Sequence, residues 1–344
     1  MVYQLKIEVL LALGLGIYWI IFTHFLGLGL SPDSTHYLVY ALNMHYSANW
    51  LNLFSLTVNP LWAPFYSFLI NIFMFFTPLP LEAATLLGGI SMLLFLITFT
   101  LILRQFSNNL VLNLLFLMNL LVLIGFLDSY LYILSEAPFA LFIILHFYFL
   151  IKHEQTHKIK YYIFSAIFVS LATLTRYMGY SVIITFFIYT WYFLITHHDE
   201  MQLKNKYLHW LQYIGLNSIT YLPILIYITR NYVVSHTFHG DRESTALTVF
   251  QNIQLFLNVL IHDLNLFLLL LLGIAVFIYF LIIKNYKPSN LAKQFIFPLS
   301  YILFSLLTYI AILIYTTSQV KVNPISTRYL SPIYFYFLLF IFIS

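Results

Sequence analysis

Apolar runs, most of them close to the roughly 20 residues needed to cross a bilayer's hydrocarbon core as a helix, follow one another through most of this chain and constrain its fold more than any motif. Leu264 to Ile283 is apolar almost without interruption, and comparable runs occupy residues 9–30, 82–103, 110–127, 137–151, 161–175, 178–196, 208–229, 295–315 and 330–344. Strands of a membrane barrel would instead alternate apolar and polar residues in segments of about 10. The expectation is an all-α polytopic transmembrane bundle of about ten spans. Its 62% hydrophobic and 8% charged residues lie far from the balance of a soluble domain. The first run is longer than a signal-peptide core and is not followed by a convincing small-x-small cleavage site, so it reads as a retained anchor. The last run stops at Ser344, which predicts a chain cut within a helix.

Orientation follows from the bases. With the N-terminus inside, the cytoplasmic side holds Lys6, Arg104, Lys152, Lys158, Lys160, Lys204, Lys206, Lys284, Lys287 and Lys293. The outer side holds only Arg176, Arg230, Arg242, Lys321 and Arg328, as the positive-inside rule requires. Lysine dominates the inner set and arginine the outer one. Lysine suits a solvated loop, whereas the planar guanidinium suits bidentate recognition of phosphate or carboxylate. The outer face therefore reads as an anion site.

Outside the spans, residues 31–81 form a long aromatic first outer segment, expected to hold amphipathic helices lying in the interface. Residues 230–262 form a second outer segment. The stretch Trp62 to Phe76 is short for a span, and counting it as one would move most lysines outside. No linker or soluble domain interrupts residues 1–344, so a single membrane domain is expected. The absence of cysteine removes thiol nucleophiles, disulfides and thiolate metal sites. A net charge of +4 is too dispersed for a nucleic-acid partner, and no phosphate-loop or dinucleotide fingerprint is present.

No carboxylate falls in mid-span. A charge at the bilayer centre costs roughly 2.5–3.5 kcal/mol on insertion scales, so ion-coupled carriers keep one there for function; this chain does not read as one. The outer side is different. Asp33 follows Ser31-Pro32 just where the first span stops, and two readings stand together: a first-turn acid of a capped helix, and a general base at the membrane surface. Asp128 and Glu136 bracket the third outer loop, where desolvation shifts carboxyl groups, and Glu82 opens the next span as a first-turn acid. Thr175-Arg176-Tyr177, Arg230-Asn231-Tyr232 and Thr327-Arg328-Tyr329 each stand at the outer end of an apolar run, where Arg can snorkel among interfacial aromatics or converge with Tyr177, Asn231 and Tyr329 on a phosphate. His36 and His45 are spaced for no familiar ligand pair. Gly14, Gly16, Gly27 and Gly29 read as close helix contacts.

Taken in order, Pro32-Asp33-Ser34, Trp62-Ala63-Pro64-Phe65-Tyr66, Ser135-Glu136-Ala137-Pro138-Phe139, Leu174-Thr175-Arg176-Tyr177, Arg230-Asn231-Tyr232, Gly240-Asp241-Arg242 and Arg328-Tyr329-Leu330-Ser331-Pro332 resemble the GT-C superfamily of integral-membrane glycosyltransferases. The likeness is strongest to the bacterial branch similar to protein O-mannosyltransferases and lipid A aminoarabinose transferases. It implies a polyprenyl-phosphate sugar donor, an extracytoplasmic acceptor, inversion at the sugar, and a bacterial inner-membrane location. It implies Asp33 as the first-loop catalytic acid, Asp128 or Glu136 as the second, and Arg176, Arg230, Arg242 and Arg328 as donor-phosphate ligands. No cofactor is expected, and a divalent metal stays open. The chain departs from the family in having Ser34, not a second acid, beside Asp33. Two other readings would use the same outer arginines: a flippase or carrier of lipid-linked saccharides, and a lipid-linked polysaccharide polymerase or ligase.

Overall fold

Helices of the expected length appear at nearly every apolar run. The computed structural model describes residues 2–46, 62–122, 124–196, 203–238, 247–262, 290–319, 327–330, 332 and 334–343. Among the described residues six helical stretches are long and apolar enough to cross a membrane, and three shorter apolar helices join them. They fall in α1 (Val2–Leu26), α4 (Pro80–Phe106), α5 (Leu110–Val122), α7 (Glu136–Thr156), α8 (Ile159–Thr175), α9 (Tyr180–Thr196), α10 (Leu203–Ser235), α12 (Asn290–Gln319) and α14 (Tyr334–Ile343). The remaining elements are α2 (Pro32–Tyr46), α3 (Phe65–Phe73), α6 (Ile124–Leu131), α11 (Val249–His262) and the short α13 (Thr327–Leu330). Among the described residues the only non-helical pairing is one β-bridge, between Gly29 and Tyr132. The expected span at 264–283 lies outside the described residues. The protein is an integral, multi-pass membrane protein with an all-α bundle.

Among the described residues between α1 and α4 lie two helices, α2 and α3, and α3 is too short to be a span. Nine residues of α3 reach about 14 Å at 1.5 Å per residue, half of a 30 Å hydrocarbon core. Tyr37 and Ala41 from α2, Tyr66 and Ile70 from α3, and Ala83, Ala84 and Leu87 from α4 make a small buried cluster that seats both helices on the end of α4. Two other boundaries differ from the sequence expectation. Helix α10 continues past residue 229 to Ser235, because nothing breaks it until His236 turns to φ 55°. The last expected span starts at Tyr334, behind the separate α13, with Pro332 lying between the two helices as a residue that cannot continue a helix.

At the centre, α7 packs against α4, α6 and α8; α1 packs on α4, α10 on α8, and α12 on α9. Lipid tails are as apolar as leucine, so burial of apolar surface alone does not choose partners between spans. Polar pairs do. His146 of α7 is hydrogen-bonded to Ser165 Oγ of α8 at 2.7 Å and to the Tyr301 hydroxyl of α12 at 2.5 Å. His153 is hydrogen-bonded to Tyr189 of α9 and Tyr213 of α10, each at 2.7 Å. Asn217 donates to Thr190 at 2.7 Å. Each such bond contributes about 0.6–2 kcal/mol and selects one helix pairing.

The ends of the bundle sort as the loop charges predict. Glu8, Arg104, Gln105, Asn113 and Lys152 gather at one end, with Arg104 Nε 3.3 Å from Glu8, Asn113 donating to Glu8 at 2.9 Å and Lys152 donating to Gln105 at 3.0 Å. The C-termini of α1 and α8 and the N-termini of α7 and α9 meet at the other. The Glu8–Arg104 pair is almost fully buried, so Arg104→Gln strands a charge and is expected to cost about 3–5 kcal/mol. Thermal denaturation in detergent should register that loss and a partial recovery in the Glu8→Gln/Arg104→Gln double variant; a single variant as stable as wild type would contradict the pairing.

Candidate active site

The site begins with the turn that ends α1. Gly27 takes φ 73° and its N–H closes on Thr23 O at 2.9 Å, a helix stop that favours glycine. Two residues on, Gly29 N donates to Leu131 O at 2.8 Å and Ile133 N donates to Gly29 O at 3.0 Å. A Cβ on Gly29 would meet the Tyr132 ring at 2.5 Å, so the bridge needs glycine. These two glycines serve the turn and the bridge, whereas the sequence reading had placed them at helix contacts.

Helix α2 then starts on a reciprocal cap. Ser31 N donates to Ser34 Oγ at 2.9 Å, and Ser34 N donates to Ser31 Oγ at 3.3 Å, the logic of a capping box with serine at its far end. Ser34 Oγ also donates to Ile133 O at 2.7 Å and is fully buried. Ser34 thus ties the helix start to the loop that carries Ile133. Asp33 sits between these two serines' bonds, half-buried in the first turn, where the helix dipole favours a carboxylate.

Below Asp33 lies a buried ion pair. Glu136, in the first turn of α7, and Arg176, which ends α8, approach to 2.7 Å, with the Glu136 side chain fully buried. Arg176 Nη1 also donates to Ser135 Oγ at 3.0 Å, and Ser135 shares a 3.2 Å hydrogen bond with the Tyr37 hydroxyl of α2. Burial pushes the Tyr37 phenol up to about 12; Arg176 and the Ser135 bond oppose that rise, and Glu136 and Asp33 add to it. Tyr37 is therefore the neutral group that feels both carboxylates. Burial alone would weaken the Arg176 charge, but Glu136, followed by Tyr37, Tyr309 and Tyr329, raises its pKa above the ordinary value, so the guanidinium stays protonated. Its buried Nε has no hydrogen-bond partner among the described residues.

The arginine-tyrosine sequences converge here. Asn231 Nδ2 donates to the Tyr177 hydroxyl at 3.3 Å, and Arg230 donates to Asn231 Oδ1 at 2.9 Å. The Arg230 guanidinium carbon lies 5.9 Å over the Tyr227 ring, and the Tyr227 hydroxyl donates to the Trp62 carbonyl at 3.1 Å. Tyr329 is held through its carbonyl by the Tyr309 hydroxyl at 2.7 Å. Arg328 precedes it in α13; its side chain, and Arg242 with Asp241, lie outside the described set. Asp128 stands on α6, against which α13 packs, and burial raises its carboxyl pKa. Glu82 is exposed in the first turn of α4. Among the described residues no three His, Cys, Asp or Glu side chains are grouped to hold a metal ion.

Tyr37, Ser135 and Tyr227 belong to this constellation with no role legible in the sequence, and Ser34 belongs to it as a cap rather than a missing acid. The S-x-x-S spacing at Ser31 was the one local signal available. The others meet only across 40 or more positions.

Comparison with known proteins agrees with this architecture. The family model described as dolichyl-phosphate-mannose-protein mannosyltransferase matches residues 60–227. The fold is similar to the crystal structure of ArnT from Cupriavidus metallidurans bound to undecaprenyl phosphate, with a TM-score of 0.60 and 14% sequence identity. That likeness covers 97% of this chain and 59% of ArnT, so the chain spans about three-fifths of its neighbour's length. No curated protein matches by sequence. The family match covers a little under half of the chain, whereas the fold likeness runs along nearly all of it.

Proposed function

We propose that this protein transfers a sugar from a polyprenyl-phosphate donor to an acceptor hydroxyl on the extracytoplasmic face of a bacterial inner membrane, inverting the anomeric centre. One observation carries the reading: a capped, half-exposed Asp33 stands beside a buried Glu136–Arg176 pair, at the bundle end where Tyr177, Asn231 and Tyr329 gather. The bound lipid of the ArnT neighbour and the lipid-linked mannose donor in the family description supply the donor class. The acceptor is a cell-envelope glycan, lipid or protein.

In the mechanism, Asp33 takes the proton of the acceptor hydroxyl as that oxygen attacks the anomeric carbon. The bond from the anomeric carbon to the phosphate oxygen breaks, its electron pair stays on the lipid phosphate, and the proton remains on Asp33. Arg176 and Arg230, with Arg242 and Arg328 as further candidates, stabilise the charge on the departing phosphate. Glu136 is too deeply buried to meet a soluble group and acts by orienting Arg176; Asp128 remains the other candidate for the second-loop acid. Tyr37 keeps its proton and so donates, through Ser135, into the same network.

Asp33→Asn keeps the shape of the helix start and removes the base. Turnover of a polyprenyl-phosphate sugar by the purified variant is expected to fall about 10²–10⁴-fold with its melting temperature near wild type, and wild-type turnover would sink the assignment. Arg230→Gln is expected to weaken binding of undecaprenyl phosphate about 10–100-fold, the loss of one charge-assisted bond of about 1.5–3 kcal/mol; unchanged affinity removes Arg230 from the phosphate site. Arg176→Gln differs, because it leaves Glu136 buried without its cation. It should lower stability by about 3–5 kcal/mol, read as a drop in denaturation midpoint larger than that of Arg230→Gln.

A further inference from the structure

The tryptophan that opens Trp62-Ala63-Pro64-Phe65-Tyr66, and the histidine one turn beyond Asp33, have no part in the chemistry above. The structure brings them together. Residues on an α-helix turn by about 100° each, so Asp33, His36 and Tyr40 fall within about 60° of one another on α2. The adjoining flank of Ser34, Tyr37, Ala41 and Met44 is buried, which leaves the strip from Asp33 to His36 at the edge of the open face. His36 is exposed and stacks on Trp62, with ring centroids 4.1 Å apart and planes 23° from parallel; Tyr40 lies 6.5 Å from His36.

This stack is held from behind. Trp62 packs against the small cluster beneath α2 and α3, and its carbonyl accepts the bond from Tyr227, the ring that carries Arg230 on its face. Tyr40 is near enough to Tyr227 for the two to interact electrostatically. His36, Tyr40 and Trp62 therefore join the helix start that carries Asp33 to the Tyr227 ring that carries Arg230. One end handles a proton, the other suits a phosphate, and flat rings lie between. A pyranose matches that order, since its C–H face packs on an aromatic plane while its hydroxyls point outward to water.

We propose that His36, Tyr40 and Trp62 form a shelf that receives the ring of the transferred sugar, between the Asp33 carboxylate and the Arg230 guanidinium. The shelf rests on the donor reading above and sharpens it: the ring preference of the enzyme is set in the first outer loop.

The test measures binding to the purified full chain of undecaprenyl phosphate carrying glucose, carrying mannose, and carrying no sugar. Wild type is expected to bind at least one glycosylated lipid about tenfold more tightly than the bare phosphate, the scale of one good ring contact. His36→Ala should abolish that preference and leave affinity for bare undecaprenyl phosphate unchanged, while His36→Phe, which keeps a flat ring, should retain most of it. His36 is exposed, so neither variant threatens the fold. A preference that survives His36→Ala, or a wild type with no preference for either sugar, overturns the shelf and leaves the donor reading standing. If bare undecaprenyl phosphate itself fails to bind, the donor reading falls and the shelf falls with it.

Discussion

The contact between Arg176 and Glu136 is the constraint on which the rest of this site depends. Removing two charges from water is costly, and attraction in a low-dielectric interior repays that cost only with close geometry and further hydrogen bonds. Here the geometry is a 2.7 Å approach, and Ser135 and Tyr37 supply further bonds. The pair joins the end of α8 to the start of α7, and through Tyr37 it reaches the helix that carries Asp33. A neutral substitute could fill the same volume, but it would not bind three elements in one register. Tyr177 follows Arg176 directly and meets Asn231, while Tyr329 adds to the field around the guanidinium. One ion pair thus locates the carboxylate on one side and the arginine-tyrosine sequences on the other.

The remainder of the bundle is arranged so that this end can be precise. In a membrane the helices gain little by hiding apolar side chains from lipid, so specific hydrogen bonds decide which spans are neighbours. His146 and His153 do this along α7, the most deeply enclosed span, and Asn217 with Thr190 does it between α9 and α10. At the far end, Glu8, Arg104 and Asn113 close α1, α4 and α5 together. With both ends of α7 tied, its first residue, Glu136, has little freedom. That rigidity suits the transfer proposed above, whose reacting groups come from separate helices.

Reading the chain from its residues recovered much of this architecture. Apolar run length located the spans, because the thickness of the hydrocarbon sets one length for every helix that crosses it. Charge bias set the alternation of the ends, since transferring lysine across a membrane is costly wherever it lies in a loop. Asp33 could be singled out because capping chemistry is local, with Ser31 and Pro32 adjacent in sequence. The choice between Asp128 and Glu136 could not be made the same way. Both are acids at a membrane boundary, eight positions apart, and among the described side chains Glu136 is the one that lies against a guanidinium, forty positions further on.

The sequence by itself determined that the chain is a helical membrane bundle and where a capped acid would stand at the end of its first span. Those properties follow from hydrophobic length, charge and short-range hydrogen bonding, all of which act within a few residues or one span. The tertiary structure alone decided that Ser34 would anchor α2 to Ile133, that Tyr37 would meet Ser135 beside the Glu136–Arg176 pair, and that His36 would stack on Trp62. Each of those contacts joins residues on different elements. Composition and periodicity describe the surface each helix offers, whereas which surfaces meet is settled by the simultaneous satisfaction of buried polar groups across the whole bundle.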